Sequence, residues 1–565
     1  MKVIIIGGVA GGATAAARLR RLDEAAEIIV FERSGYVSYA NCGLPYYIGG
    51  VIREKSQLTL QTPESFYHRF RVDVRVRHEV TAIHPAEKTV EVRDKATGRE
   101  FTETYDKLVL SPGARPTRPD LPGIDDPRLF TLRTVEDTYR IRDYVTQARP
   151  RSAILVGGGY IGLEMAENLQ ELGLRVTVVQ RPKQLMNTLD YDMACFVHAK
   201  LRQMGVGLKL GSDVTGFEPL PEGGVKVLLR DETPLGADMV ILAIGVTPDS
   251  ELARQAGLAL GQKGSIAVND RMQTSDPDIY AVGDAVQVKH AVSGLDAVIP
   301  LAGPANKQGR IAADNICGLD SRYQGSQGSS VIKVFDLTVA STGLTEKAAK
   351  AAGLDCDRVV LSPASHATYY PGASVMTMKV VFERETLRLL GAQIVGYDGV
   401  DKRIDVLATA IACGVRADRL KDLDLAYAPP YSSAKDPVNM AGFMIENLAQ
   451  GRVKQFHWDE LESVPRDGSA TLLDVRTPME YARGHVEGFV NLPVDVLRDY
   501  LDQLDPARPV YVFCQSALRS YIACRILSQK GFDCYNFSGG YRFYEVVTAE
   551  RRFARSALPC GMELE

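Results

Sequence analysis

The sequence predicts an α/β protein of several domains, and three observations carry that prediction. A glycine-rich strand–turn–helix pattern opens the chain and recurs from Ala153. The chain has 565 residues, more than one core accommodates, and a length prior gives about three to four domains. A different strand–loop–helix order near Cys514 marks a separate C-terminal module. The expected division is a first domain over 1–150 and 250–329 and a second over 151–249. An α+β domain follows over 330–445, then a linker over 446–456 and an α/β domain over 457–565.

Composition narrows the class. Hydrophobic content of 45% and charged content of 24% describe an ordinary globular chain. The net charge of -4 gives no reason to expect nucleic acid or an anionic membrane as partner. Met1 runs straight into a strand, which leaves no room for a signal peptide, and no apolar run reaches the roughly 18 residues of a span. Nine scattered cysteines suggest reduced thiols in a cytoplasm rather than a disulfide framework. Eight histidines show no metal-site spacing, so no metal is expected.

Lys2 to Ile6 reads as a short apolar strand, followed by Gly7-Gly8-Val9-Ala10-Gly11-Gly12 and an alanine-rich helix from Ala13 to Leu22. A second strand, Glu27 to Phe31, ends on Glu32. In such a βαβ unit the glycines let backbone approach a pyrophosphate, and the helix N-terminus faces its charge. Glu32, about 20 residues past Gly12, is placed to hydrogen-bond a ribose hydroxyl. Val9 replaces the middle glycine of G-x-G-x-x-G, so this motif is imperfect.

The second copy is complete. Strand Ala153 to Val156 leads into Gly157-Gly158-Gly159-Tyr160-Ile161-Gly162, a helix from Leu163 and the strand Arg175 to Val179. That strand ends on Gln180-Arg181, where a carboxylate would exclude a 2′-phosphate. Gln180 does not repel one, so NADH and NADPH both stay open, with NADH favoured. Strand Lys107 to Leu110 exits into Ser111-Pro112-Gly113-Ala114-Arg115-Pro116, and strand Met239 to Ala243 exits into Gly245-Val246-Thr247-Pro248. Both are sharp turns suited to returning the chain between domains. Ile279 to Val282 ends on Gly283-Asp284, whose carboxylate is placed to hold a polyol.

This order resembles the flavin-dependent pyridine nucleotide-disulfide oxidoreductases over about residues 1–445. The resemblance implies two Rossmann-like dinucleotide-binding domains, FAD on the first and NAD(P)H on the second, and a dimerisation domain from about Ser330. On it, FAD contacts fall at Gly7, Gly8, Ala10, Gly11, Gly12, Glu32, Arg33, Asn41, Val80, Ser111, Gly113, Asp284 and Ala302. Nicotinamide nucleotide contacts fall at Gly157, Gly159, Tyr160, Ile161, Gly162, Gln180 and Gly245.

Cys42 stands alone in Ser38-Tyr39-Ala40-Asn41-Cys42-Gly43-Leu44-Pro45-Tyr46-Tyr47, and the next cysteine in sequence is Cys195. A thiol without a resolving partner must pair with something external. The segment resembles the single-cysteine branch of the family, most closely the coenzyme A disulfide reductases. Oxidases and peroxidases of that branch commonly carry a histidine in the first glycine loop, where this chain reads Val9-Ala10-Gly11. A peroxide-cleaving site wants that acid-base group, so its absence argues for sulfur chemistry. His366 to Gly372 and Tyr427 to Pro437 resemble the paired tyrosine segments of the coenzyme A reductases. The resemblance implies that Tyr369 and Tyr427 reach across from a partner subunit, Tyr370 being the rival to Tyr369. The alternative is interface packing, where tyrosine is enriched anyway. Arg18, Arg21 and Lys435 are candidate contacts to coenzyme A phosphates, and Ser38 and Asn41 flank the thiol. Cys42 is expected to open a short helix whose N–H groups lower its pKa.

The last module resembles a rhodanese domain through Asp474-Val475-Arg476, Gly484-His485-Val486-Glu487-Gly488 and Cys514-Gln515-Ser516-Ala517-Leu518-Arg519. A cysteine ending a strand, in a loop that curls before a helix, is set to hold a thiolate or persulfide. Arg519 closes the loop, where it is placed to hold an anionic donor, and its spacing suits a single sulfur atom rather than a phosphate. The whole chain resembles a coenzyme A disulfide reductase–rhodanese fusion of the persulfide reductase type. That implies a cytoplasmic homodimer with shared active sites. It would reduce coenzyme A persulfide, polysulfide or coenzyme A disulfide through Cys42, with Cys514 carrying sulfur. Thiol-pool maintenance and a sulfurtransferase with a redox-sensing flavin domain are the alternatives. Cys560 has no assigned role.

Overall fold

Isoleucine and valine build the first sheet. Lys2–Ile6 lies at its centre between Glu27–Glu32 and Lys107–Leu110, with Asp73–Val76 and Ile279–Ala281 at the edges, all parallel. Runs such as Val3, Ile4 and Ile5, fully buried, suit a parallel sheet covered on both faces. Helix Ala10–Leu22 packs on helix Ala302–Ile316 so closely that a Cβ on Gly309 would sit 2.3 Å from Gly11 O. The glycine loop is thereby pinned from the side away from the sheet.

The second sheet repeats the plan, in the order Gly207–Leu210, Arg175–Gln180, Ser152–Val156, Met239–Leu242, Leu129–Phe130, again all parallel. Leu129–Phe130 was expected in the first domain; its pairing with Met239–Leu242 moves that boundary earlier. The two glycine–proline exits meet each other, Ala114–Pro116 running antiparallel to Val246–Pro248.

This computed structural model describes residues 1–221 and 223–555, so Cys560 lies outside the described residues. The chain forms two units: Met1–Leu185 with Gly205–Gly328, and Met186–Met204 with everything from Ser329 onward. The segment Met186–Met204 was expected within 151–249; it groups with the second unit instead. The linker expected over 446–456 is also corrected. Helix Pro437–Ala449 packs Ile445 into the core, and Lys454–Phe456 is already an edge strand of the last sheet.

The second unit holds two sheets. Ser330–Val334, Leu337–Gly343, Leu389–Gly396, Thr377–Glu383 and Cys356–Leu361 form an antiparallel sheet in that order. Lys454–Phe456, Cys534–Phe537, Val510–Phe513, Thr471–Asp474 and Val490–Asn491 form a parallel one. A buried charge cluster ties them to helix Tyr191–Gln203. Lys379 Nζ lies 2.8 Å from Asp192, 3.0 Å from Glu346 and 3.2 Å from Asp190. Arg358 bridges Glu346 and Asp459, both at 2.5 Å, and Trp458 Nε1 donates to Asp192 at 3.1 Å. Asp190 also accepts from the N–H groups of Glu346 and Lys347, capping the helix that starts there. Burial alone would lower the Lys379 pKa, but the three carboxylates outweigh it and hold it above the usual lysine range. Burial would likewise raise Asp190 and Glu346, and Lys379 holds both below their ordinary values.

Lys379→Met should therefore be costly, on the order of 3–5 kcal/mol, because it leaves buried carboxylates uncompensated. The lowered Asp190 and Glu346 values mean that their stabilisation is in place above the unfolded carboxylate pKa and fades as pH falls through the folded values. In the variant those carboxylates accept protons more readily, so its deficit in thermal midpoint should shrink between neutral pH and about pH 5. A deficit independent of pH would count against the cluster.

Candidate functional site

Both glycine loops fit a dinucleotide. Helices Ala10–Leu22, Tyr160–Glu171 and Ala302–Ile316 carry no acidic residue in their first turns, so nothing there repels a pyrophosphate. In the first unit, Cβ atoms on Gly7 and Gly12 would lie 2.1 Å from Ser111 O and 1.9 Å from Gly7 O. Gly159 and Gly245 face open space. Glu32 accepts from Gly8 N at 2.9 Å and Ser34 N at 2.8 Å, and keeps lone pairs for a ribose. Gln180 holds the same station in the second unit, accepting from Gly158 N at 3.0 Å. Arg33 pairs with Asp249 at 2.7 Å. Val80 sits buried at a bulge in the strand His78–His84, and Ala302 starts its helix exposed.

Cys42 lies in a single 3-10 turn, Asn41–Gly43, ahead of the short helix Leu44–Ile48. Ser38, in the left-handed region at φ 46°, donates its N–H to Gly8 O, which fixes the thiol segment to the first glycine loop. The thiol is solvent-accessible. The expectation that helix N–H groups lower its pKa is not met. Partial desolvation pushes it up, Glu164 and Asp284 add to this, and only Arg133 opposes them. Of these, Glu164 and Arg133 were missed in the sequence, while Asp284 was expected only as a cofactor contact. Arg133 donates to Asp284 at 2.7 Å. Glu164 accepts from the Tyr46 hydroxyl, yet burial and then Glu167 push its carboxyl up to about 7. A carboxyl that titrates near neutrality beside a thiol can hold or release a proton there. Glu164 follows directly on Gly157–Leu163, so its place in the second glycine motif was the signal available. Of the coenzyme A candidates, Arg21 and Lys435 are exposed, while Arg18 Nε is committed to Asp314 at 2.6 Å.

Tyr369 and Tyr427 belong to the second unit, where their hydroxyls meet at 2.7 Å. Tyr370 instead lies edge-on to His366, which separates it from its neighbour. Arg403, another residue missed in the sequence, is fully buried and clamps both tyrosine segments. It donates to Ser365 O, Tyr431 O and Ser432 Oγ and pairs with Asp436 at 3.1 Å. Tyr369 is 75% exposed and Tyr427 47%, so the pair projects outward from this rigid base.

Cys514 is buried at the end of Val510–Phe513, and the Ser520 hydroxyl donates to its sulfur at 3.1 Å. Ala517 takes the left-handed region at φ 68° where the loop turns into helix Leu518–Ser528. Gly540 is required opposite: a Cβ there would lie 2.6 Å from Ser516 N. Arg476 is buried against Asp474, donates to Gln515 Oε1 and stacks 4.0 Å over the Tyr541 ring. Arg519 does not face an empty anion site. Its two terminal nitrogens donate to both oxygens of Glu480, at 2.8 and 2.6 Å. Arg519 and then the Thr477 backbone N–H push the Glu480 carboxyl down to about 2, with burial opposing.

Comparison with known proteins follows the same division. The description "Pyridine nucleotide-disulphide oxidoreductase" matches residues 1–309, its dimerisation domain residues 329–437, and "Rhodanese-like domain" residues 457–545. A coenzyme A disulfide reductase of Staphylococcus aureus is 36% identical over 443 residues, 78% of this chain and 99% of the relative. The crystal structure of reduced Bacillus anthracis CoADR-RHD is 48% identical, with TM-score 0.95, over 97% of this chain and 98% of that one. An NAD-dependent persulfide reductase from A. fulgidus is 37% identical, with TM-score 0.90, over 96% and 100%.

Two outcomes follow from this geometry. Glu164→Gln removes a negative charge from beside the thiol. The pH midpoint for Cys42 alkylation by iodoacetamide should then fall by about half a unit or more; an unmoved midpoint would uncouple the two groups. Arg403→Met should cost about 3 kcal/mol through the unpaired Asp436. It should also free the tyrosine segments, read as faster amide exchange across 365–372 and 427–436.

Proposed function

Because the chain belongs to the pyridine nucleotide-disulphide oxidoreductase family and carries a rhodanese-like domain, we propose that it is a flavin-dependent reductase of sulfane sulfur. It uses NADH to reduce coenzyme A persulfide, polysulfide or a related small persulfide to sulfide through Cys42. Its rhodanese domain carries sulfur on Cys514. The observation that carries this reading is one chain holding an accessible Cys42 with no partner cysteine within its segment and a built sulfur loop at Cys514. The Bacillus anthracis and A. fulgidus proteins match over nearly the whole chain and so share that pairing of modules.

The first glycine loop, Glu32 and Asp284 would hold FAD, which would supply the two-electron link between nicotinamide and sulfur. The Cys42 thiolate attacks the inner sulfur of coenzyme A persulfide, the S–S bond breaks, and hydrosulfide leaves. The product is a Cys42–coenzyme A mixed disulfide, and two electrons restore both thiolates. Glu164, hydrogen-bonded to Tyr46, is the proton reserve beside the thiol. The Tyr369–Tyr427 pair, supplied by the other protomer of a homodimer, steadies the departing thiolate. One hydroxyl donates to the other, and the second proton stays free for sulfur. Arg18, Arg21, Lys435, Ser38 and Asn41 bind the coenzyme A chain. The uncharged Gln180 leaves NADPH as a second reductant. Among the described residues no helix is long and apolar enough to cross a membrane.

Thiol-pool maintenance by coenzyme A disulfide reduction is the second reading, favoured by the Staphylococcus aureus relative. That protein is matched over 99% of its length by 78% of this chain, so it has no room for the rhodanese portion. Anaerobic NADH consumption with coenzyme A persulfide and with coenzyme A disulfide separates the two. Higher kcat/KM for the persulfide, with matching sulfide release, is expected; preference for the disulfide selects the second reading. Cys42→Ser should abolish turnover, while Cys514→Ser should still reduce small persulfides. Sulfide release surviving Cys42→Ser would remove the mechanism.

A further inference from the structure

We infer that Glu480 sets the sulfur donor of Cys514, restricting it to persulfides handed over by a thiol carrier rather than a dianionic donor such as thiosulfate. This rests on the reading that Cys514 carries sulfane sulfur.

Two arginines reach the Cys514 loop, and each is held by a carboxylate. Arg476 Nε and Nη2 donate to Asp474 at 3.0 and 2.6 Å. Arg519 is held by both oxygens of Glu480. The loop therefore presents paired rather than free cations at its mouth. Arg542, whose backbone N–H donates to Gln515 O, carries an exposed side chain beside the loop and adds only a solvated charge.

The two donor classes differ in what they ask of that mouth. With thiosulfate, the Cys514 thiolate attacks the sulfane sulfur, the S–S bond breaks, and sulfite leaves with the electron pair and two negative charges. With a persulfide R–S–SH, the thiolate attacks the outer sulfur and R–S⁻ leaves with one charge; Cys514 becomes a persulfide in both cases. Neither step changes the total electron count. A doubly charged leaving group needs a cation that is free to follow it, and Glu480 holds Arg519, the cation that follows the loop in sequence. Glu480 also anchors its own helix: it accepts from Thr477 N at 3.0 Å, and the Thr477 hydroxyl accepts from its N–H, closing a capping box. Gln serves equally well at that capping position. Glu480→Gln thus keeps an oxygen for Thr477 but offers Arg519 an amide instead of a carboxylate, and so isolates the charge.

The experiment uses the full-length flavoprotein and measures sulfur loading of Cys514 by intact mass and by transfer to cyanide, with thiosulfate and glutathione persulfide as donors. Glu480→Gln should raise kcat/KM for thiosulfate by at least about threefold, through KM, and less at high salt, while the persulfide value moves much less. Thr477→Ala should lower stability and leave the donor ratio alone, which separates charge from capping. Coenzyme A disulfide reduction at Cys42 serves as the folding control. An unchanged donor ratio in Glu480→Gln overturns the inference, as does a thiosulfate response to Arg542→Ala with none to Glu480→Gln. Failure of Cys514 to load from either donor in the unsubstituted protein overturns the carrier reading as well.

Discussion

The buried ammonium of Lys379 is the constraint on which the second unit depends. A lysine with no access to water is tolerated only among carboxylates, and here they come from three separate stretches: Asp190 and Asp192, Glu346, and through Arg358 also Asp459. Each carboxylate is equally intolerable without its cation. The helix Tyr191–Gln203, the antiparallel sheet and the start of the rhodanese domain are thus locked into one arrangement. A second ionic contact repeats the pattern, with Glu550 of the last helix pairing with Arg202 of helix Tyr191–Gln203, beside the buried His198. The rhodanese domain is for this reason a built part of the second unit and not a module on a tether.

The two candidate sulfur residues differ in exposure, Cys42 being exposed and Cys514 buried. Cys42 is an exposed residue whose thiol is partly desolvated, which with Glu164 and Asp284 raises its pKa while Arg133 resists. Such a thiol is sparing with its thiolate until charge in its surroundings changes, which suits a group that must wait for a bound partner. Cys514 is enclosed and receives a hydroxyl proton from Ser520, inside a loop whose arginines are already paired. On the proposed function, that enclosure would shield a sulfur carried on Cys514 from stray nucleophiles.

Much of the fold was legible because it follows from local pattern. Apolar runs ending in glycine turns, twice over, leave few alternatives to two parallel sheets, and Cys514 to Arg519 is a contiguous signature. The misplaced features are all non-local. Lys454–Phe456 looks like linker in sequence because three residues carry little periodicity; pairing with Cys534–Phe537 makes them a strand. Met186–Met204 looks like a crossover helix of the second sheet, and as chain order it is one. Its allegiance to the second unit rests on carboxylates whose partners lie far along the chain. Arg403 is invisible for the same reason: its ligands come from two segments that only the fold brings together.

The sequence by itself determined the two nucleotide-binding units, the isolation of Cys42, the candidate tyrosines and the sulfur loop, since each is written in residues that neighbour one another. Tertiary structure alone decided the state of those groups. It brought the Tyr369 and Tyr427 hydroxyls together, reversed the expected pKa direction of Cys42, and spent the charge of Arg519 on Glu480. The physical reason is common to all three. Solvation and charge at a site are set by what lies across space from it, and separation along the chain carries no record of that distance.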